Sequence, residues 1–212
     1  GLLAHPQVPR ELNEEGLQDY LKFQFVLGEQ TMFSHVMKVL PATVLSGRGS
    51  QIESTKTYWS AGFGITDERE SAEIVNDLQG LLWDSVHLQM RSDVPVGAYL
   101  SGGLDSSVTA ALASRCSLEG LPAFHGAFPG YAGSDESYFA RTVANEIGSS
   151  LFEVFPQPEE FVALLPDLIF ALDEPVAGPG SFPQFLVSKL ARDHVKVVLG
   201  GQGGDEVFGG YA

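Results

Sequence analysis

Residues 96–108 decide the fold, and they read Val96-Gly97-Ala98-Tyr99-Leu100-Ser101-Gly102-Gly103-Leu104-Asp105-Ser106-Ser107-Val108. A short apolar run ends at the first serine, and a helical pattern begins just after the two glycines. This order predicts a buried strand, a tight turn and a helix N-terminus. The free N–H groups of such a helix start favour an anion, and the glycines let a ligand approach the backbone. The stretch therefore predicts an anion site.

Asp105 stands at the start of the predicted helix, where its charge would repel a polyphosphate. A Mg²⁺ ion that bridges the carboxylate to phosphate oxygens removes this conflict. The stretch lacks the lysine that closes a Walker loop, so it is a different kind of phosphate loop. A glycine turn capped by serine and aspartate, with no nucleotide, is the alternative interpretation.

A second glycine-rich stretch follows another apolar run at residues 195–199 and reads Gly200-Gly201-Gln202-Gly203-Gly204-Asp205-Glu206. Closely spaced glycines beside carboxylates favour backbone packed against a ligand, with a second carboxylate for a metal. A flexible turn before a helix is the alternative interpretation of this stretch alone.

Strand-like and helix-like segments alternate through most of the chain. Strands are predicted at 96–100, 121–128, 151–155 and 195–199. Helices are predicted at 67–90, from 104 onward, from a cap at 134 to about 147, at 158–172 and at 181–192. This alternation predicts an α/β fold with a doubly wound parallel sheet covered on both faces. Because ligands gather at the carboxyl ends of parallel strands, the two glycine-rich stretches are expected at one edge.

Residues 1–60 predict a small N-terminal α+β segment. A helix is expected near 13–21, and two strand-like runs at 42–45 and 51–59 are expected to form a hairpin with its turn at 46–49. The loss of periodicity at 61–64 predicts a boundary, which divides the chain into residues 1–60 and 61–212.

Composition excludes several function classes. The chain has 212 residues, and 27 acidic residues against 12 basic ones give a net charge of −15, which argues against a nucleic-acid partner. Cys116 is the only cysteine, so an internal disulfide is excluded and a role as a small core residue is expected. No apolar run approaches the length of a membrane span, so no membrane partner and a cytoplasmic location are expected.

The two glycine-rich stretches resemble the synthetase domain of glutamine-hydrolysing asparagine synthetase, within the ATP pyrophosphatase (PP-loop) superfamily. The resemblance extends to Asp93-Val94-Pro95, just before the first stretch, and to Asp173-Glu174-Pro175, which lies between the two stretches. Lys38-Val39-Leu40-Pro41 and Tyr58-Trp59 resemble the segment that joins that family's glutaminase domain to its synthetase domain. The resemblance implies a Rossmann-like sheet of the adenine-nucleotide-hydrolase type. It assigns residues 1–60 to the glutaminase tail and linker, and residues 61–212 to part of the synthetase domain.

The resemblance also implies a reaction that uses ATP and Mg²⁺. Aspartate attacks the α-phosphorus of ATP through its β-carboxylate, which gives β-aspartyl-AMP and pyrophosphate. Ammonia, made from glutamine by the glutaminase domain, then displaces AMP to form asparagine. Such a reaction needs phosphate positioning and charge neutralisation more than a protein nucleophile.

Site residues follow from the resemblance by position. The implied catalytic residues are Asp105, Asp205 and Gln202, of which Asp105 and Asp205 would hold the metal. The implied ATP-binding residues are Leu100, Ser101, Gly102, Gly103, Asp105, Ser106, Ser107, Gly126, Gly200 and Gly201. The motif at residues 173–175 either lines the same crevice or forms a turn with solvated acids.

Three departures from the family pattern keep alternatives open. Gln202 stands where the family usually has a glutamate, and an amide cannot act as a general base. The chain begins at Gly1 in place of the N-terminal glutaminase cysteine, and it stops before the family's later aspartate-binding residues, so a fragment is expected. Faces meant for absent domains make a homodimer an expected arrangement. A β-lactam-forming or other amidating paralogue, and a nucleotide-binding module without turnover, remain the alternatives.

Overall fold

The computed structural model describes residues 1–62, 68–118, 120–129, 135–175, 178 and 180–210. The chain divides into two compact units. Unit one comprises Gly1–Glu68 and Pro166–Gly178, and unit two comprises Arg69–Leu165 and Pro179–Ala212. The predicted assignment of residues 1–60 and 61–212 to two domains of a longer protein stays a prediction. Part of its boundary, residues 63 and 64, lies outside the described residues.

Among its described residues, unit one contains a short 3-10 helix, a complete α-helix, a hairpin and the last residues of a helix that begins in unit two. Its helix α1 (Glu14–Phe23) begins after Asn13, whose side chain accepts a hydrogen bond from the Glu15 amide. Strand β1 (Thr43–Arg48) pairs antiparallel with β2 (Gln51–Thr57), which confirms the α+β character of this segment. The predicted turn at 46–49 is wrong, because β1 continues through a register shift at Ser46 and Gly47 and the chain reverses after Arg48.

Unit two is built on a four-stranded parallel sheet. Its strands are β3 (Val96–Tyr99), β4 (Ala123–Gly126), β5 (Leu151–Val154) and β6 (Val197–Leu199), in the spatial order β5-β4-β3-β6. From β3 the chain proceeds through β4 to β5 on one side, and then returns to place β6 on the other side of β3. The strand order therefore reverses between β3 and β6, which is where ligands bind in open α/β sheets.

Six helices precede, connect or follow these strands. They are α2 (Ser71–Gln89), α3 (Leu104–Ser114), α4 (Ser137–Glu146), α5 (Pro158–Leu172), α6 (Ser181–Ala191) and the short α7 (Gly204–Phe208), among the described residues. The chain passes from unit two into unit one within α5, at Pro166. The predicted start of the helix at 67 and of the cap at 134 fall on residues outside those described.

Apolar clusters cover both faces of the sheet. On one face, alanines of α3 and α4 pack with Ala98 and Leu100, so these helices approach the sheet closely. On the other face, Val187 and Ala191 of α6 pack with Phe124. The predicted doubly wound α/β fold is confirmed. Across the described residues, no helix combines the length and hydropathy that a membrane span requires.

Candidate functional site

The loop after β3 is held by its own serine hydroxyls. The amide of Ser101 donates to Ser106 Oγ at 3.2 Å, and the two hydroxyl oxygens lie 2.8 Å apart. The Gly103 amide donates to Ser101 Oγ at 3.1 Å, and Ser106 Oγ donates to the Gly103 carbonyl at the same distance. Ser106 is buried, at 8% exposure. These hydrogen bonds link the loop residues to one another and define the shape of the loop.

The N-terminus of α3 is open to an anion. Its cap residue Gly103 makes no side-chain capping hydrogen bond. The hydroxyl and amide of Ser107 both donate to the Gly103 carbonyl, at 2.6 and 3.1 Å. This turns the carbonyl toward the helix, and the N–H groups of the first turn stay available to negative charge.

The second glycine-rich stretch packs directly on this helix end. A side chain at Gly201 would lie 2.6 Å from the Ser106 amide nitrogen and 2.7 Å from the Asp105 carbonyl carbon. One at Gly204 would collide with the Asp105 carboxylate. The structure therefore brings the two glycine-rich stretches together at the strand-order reversal, as the edge argument predicted.

Asp105 and Asp205 are the candidate metal ligands. Asp105 lies in the first turn of α3 and Asp205 in the first turn of α7. Within the described residues, no cluster of three or more His, Cys, Asp or Glu could enclose a metal by itself. Two carboxylates suit Mg²⁺ when phosphate oxygens and waters supply its remaining ligands. The Asp105 carboxylate lies against Gly204 and the Asp205 carboxylate against Gly210, and their joint role as Mg²⁺ ligands stays a prediction.

A cavity of about 200 Å³ lies beside the first loop. Its walls include Leu100, Ser101, Gly126 and Glu136, and α6 closes it with Gln184 and other residues. The structure therefore brings together two of the predicted ATP contacts, Leu100 and Gly126.

A larger cavity, of about 690 Å³, lies on the β6 side of the loop. Its walls are mainly apolar side chains of α2, α3 and α7, together with the loop residues Gly200 and Gly201. These two glycines were predicted to contact adenosine with Leu100, but they line a different cavity from it. In the described part of the chain, neither cavity has a Lys or Arg in its walls.

Gln202 lies on the wall of the larger cavity. Its side-chain oxygen folds back over Gly200 and occupies the space that a Cβ would need there. A side chain at position 200 would therefore require the flexible end of the Gln202 side chain to move. The Gln202 amide can donate and accept hydrogen bonds in the cavity, but it cannot accept a proton from a nucleophile.

His125 makes two hydrogen-bond contacts whose partners no sequence pattern identifies. It is buried in β4, with Nδ1 2.9 Å from the Leu100 carbonyl and Nε2 3.0 Å from Ser137 Oγ. Ser137 Oγ also donates to the Asp135 carboxylate. A carbonyl only accepts, so Nδ1 carries the hydrogen. The one signal in the sequence is a histidine inside an apolar strand, next to Gly126.

Two pKa values respond to this arrangement. Burial lowers the pKa of His125 below its ordinary value, although the Leu100 carbonyl and the Glu153 and Asp135 carboxylates oppose that effect. The hydrogen bond from the Ser137 hydroxyl holds the pKa of Asp135 below its ordinary value.

Two other expectations need correction. Cys116 is partly exposed, with Sγ 3.7 Å from His87 Nδ1, so it is not a core residue. Glu174 is half-buried in unit one and lies 3.5 Å from Lys38 Nζ, so it is not the solvated acid of the second interpretation. The interpretation of residues 173–175 as crevice residues stays a prediction.

A comparison with protein families identifies the family of this chain. A family model described as asparagine synthase matches residues 77–212. The chain belongs to the asparagine synthase family. The predicted resemblance is confirmed, and both glycine-rich loops lie inside the matched region.

Several curated relatives resemble the chain over most of its length. Glutamine-hydrolysing asparagine synthetase 1 of Bacillus subtilis is 37% identical over 201 residues, which is 95% of this chain and 31% of the relative. A putative glutamine-hydrolysing asparagine synthetase of Mycobacterium tuberculosis is 38% identical over 205 residues, with the same coverage. Amidase chyE of Penicillium rubens is 29% identical over 199 residues, 86% of this chain and 30% of the relative. The chain spans less than a third of the length of these relatives.

Proposed function

We propose that this chain is the ATP-activating part of an amide ligase that makes asparagine. The β-carboxylate of aspartate attacks the α-phosphorus of ATP, pyrophosphate leaves, and β-aspartyl-AMP forms. Ammonia then displaces AMP. One observation carries this proposal: Gly201 and Gly204 close onto the open N-terminus of α3 and onto the Asp105 carboxylate.

The phosphates of ATP bind at the first loop and the start of α3. Backbone N–H groups and the helix dipole supply positive potential there. Asp105 and Asp205 would hold Mg²⁺, which would supply charge neutralisation of the phosphate oxygens.

The adenosine part of ATP occupies the smaller cavity. Leu100 and Gly126 form its walls at the ends of two neighbouring strands, next to the phosphate loop. A Cβ at Gly126 would lie 3.2 Å from Val187 Cγ2, so glycine at this position lets α6 pack closely against the end of β4. The predicted adenosine contacts at Gly200 and Gly201 stay predictions, as do the homodimer, the cytoplasmic location and the supply of ammonia by a glutaminase domain.

The experiment is to incubate the chain with Mg-ATP, aspartate and ammonium and to follow phosphorus by NMR. AMP and pyrophosphate that appear only with aspartate present are the expected products. ADP and inorganic phosphate would overturn the mechanism. ATP that binds but stays intact would favour the nucleotide-binding module.

A second candidate is a ligase that amidates a different carboxylic acid. Gln202 and the amidase name of one relative favour this alternative. The assay above, repeated with other carboxylic acids, separates the two candidates, because pyrophosphate release follows the acid that is activated. A Gln202→Glu variant that gains turnover with aspartate would support a specialised role for the amide.

A further inference from the structure

We propose that His125 is a positioning residue, which holds the end of β3 against the start of α4 and so shapes both the smaller cavity and the phosphate loop. This proposal rests on the proposed nucleotide site. His125 touches no reacting atom, so its effect passes through the two backbone segments that it joins.

The contacts of His125 join two elements that are far apart in the chain. Nδ1 donates to the carbonyl of Leu100 at the end of β3, and Nε2 lies 3.0 Å from Ser137 Oγ in the first turn of α4. His125 and Ser137 are both buried, at 4% and 2% exposure. Buried polar groups that lose a partner are costly, so the ring holds both segments firmly.

The phosphate loop depends on where α4 starts. A Cβ at Gly102 would lie 2.8 Å from the Glu136 carbonyl oxygen and 2.9 Å from the Ala140 nitrogen. Gly102 has a φ of +96°, a conformation that favours glycine. The loop is therefore pressed against the first turn of α4, and His125 fixes that turn through Ser137.

Three charged residues act electrostatically on His125. They are Asp135 before α4, Arg141 on α4 and Glu153 on β5. The Ser137 hydroxyl has one hydrogen for two acceptors, His125 Nε2 and the Asp135 carboxylate. A proton on Nε2 makes the ring a donor to Ser137, and the Ser137 hydrogen then turns wholly to Asp135. The bond to Leu100 survives either state, because Nδ1 donates in both.

The first test uses NMR of the ring nitrogens, with no nucleotide present. We expect the Nδ1–H tautomer of His125 at neutral pH, with a proton that exchanges slowly with water. An unprotonated Nδ1, or a ring that exchanges like a surface histidine, would overturn the proposal whether or not ATP binds.

The second test compares substitutions by calorimetry with Mg-ATP. His125→Asn keeps a donor near the position of Nδ1, whereas His125→Leu removes both polar contacts at similar volume. We expect His125→Leu to weaken Mg-ATP binding by roughly ten-fold or more, and His125→Asn to recover most of that loss. His87→Asn, on the exposed surface of α2, is the matched control and should bind as the wild type does.

The outcomes separate this proposal from the proposed function. Equal binding by the wild type and both His125 variants would overturn the positioning role and leave the nucleotide site intact. A wild-type chain that does not bind Mg-ATP would overturn the nucleotide site, and the role of His125 with it. If His125→Leu fails to fold, the affinities of His125→Asn and the wild type for Mg-ATP are compared. A loss of more than about ten-fold in the affinity of His125→Asn would contradict the expected rescue.

Discussion

The two glycine-rich loops of unit two meet at the same edge of the sheet, but different interactions hold each of them in place. The loop at 101–107 is held by hydrogen bonds, because Ser101 and Ser106 satisfy each other and the Gly103 backbone. The loop at 200–204 is held by close packing, since Gly201 and Gly204 leave no room for a Cβ. The first loop thus depends on particular polar atoms, and the second depends on the absence of side chains.

The difference predicts different kinds of sensitivity. A polar loop loses stability when a buried donor or acceptor loses its partner. A loop packed on backbone loses stability when any atom is added, because backbone has little freedom to move aside. Asp105 belongs to both, as it extends from the helix of the first loop onto the second.

The largest effect is expected at Asp105, where the two loops meet. With Asp105→Asn we expect pyrophosphate release to fall by about 10²–10³-fold, a typical result of removing one stabilising group from a reaction site. Mg-ATP should bind more weakly, while ATP in EDTA should bind more tightly, because a repelling charge is gone. Calorimetry with and without Mg²⁺ measures both. Asp84→Asn, exposed on α2, is the control. An unchanged response to Mg²⁺ would remove Asp105 from the metal site.

The packed loop is tested with Gly201→Ala. The added methyl group would meet the backbone of α3, so we expect the free energy of unfolding to fall by roughly 1–3 kcal/mol. Gly80→Ala on α2 is the matched control, because no atom lies within 4 Å of its Cβ position. That change should raise stability by about 0.5–1 kcal/mol. Urea unfolding gives both values, and equal midpoints for the two variants would contradict the packing argument.

The hydrogen-bonded loop is tested with Ser106→Ala against Ser107→Ala. Ser106 serves three partners and is buried, so its loss should cost about 1–3 kcal/mol of unfolding free energy. Ser107 Oγ serves only the Gly103 carbonyl, which keeps the Ser107 amide as a donor, so about 0.5–1.5 kcal/mol is expected. Urea midpoints in the same buffer compare the pair. A larger cost at Ser107 would mean that the network is not centred on Ser106.

The smallest effect is the pH dependence that His125 adds beside the first loop. Its folded-state pKa is lowered by burial, so the unfolded chain binds more protons as pH falls below about 6.5. Stability from this group is therefore fully present above that pH. As pH falls below this value, the free energy of unfolding decreases by up to about 1.4 kcal/mol per pH unit until the pH reaches the folded-state pKa. Urea midpoints between pH 7.5 and 5.5 should fall for the wild type and fall less for His125→Asn. Parallel curves would contradict this assignment.

Asp135 acts in the same direction at a lower pH. Its folded-state pKa is depressed, so its contribution is present above the ordinary aspartate pKa and is lost as pH falls through the depressed value. The two groups are separable because they titrate in different ranges, and Asp135→Asn should change only the more acidic part of the profile.

Much of this arrangement could be predicted from local patterns. The four strands and the junction of β3 with α3 were predictable because apolar runs, glycines and helix starts are local features. The hairpin turn was misplaced, because a register shift at Ser46 and Gly47 carries β1 past the glycine that suggested the turn. The split of Leu100 and Gly200 between two cavities was not predictable, since strand order decides it.

The sequence by itself determined the fold class, the family and the meeting of two glycine-rich loops at one sheet edge, because periodicity and strand direction are written locally in the chain. Only the tertiary structure decided that Gly201 lies on the backbone of Ser106, that Glu174 pairs with Lys38, and that His125 joins Leu100 to Ser137. These contacts join residues that are distant in the chain. Their distances depend on how helices pack on the sheet, and no local pattern carries that information.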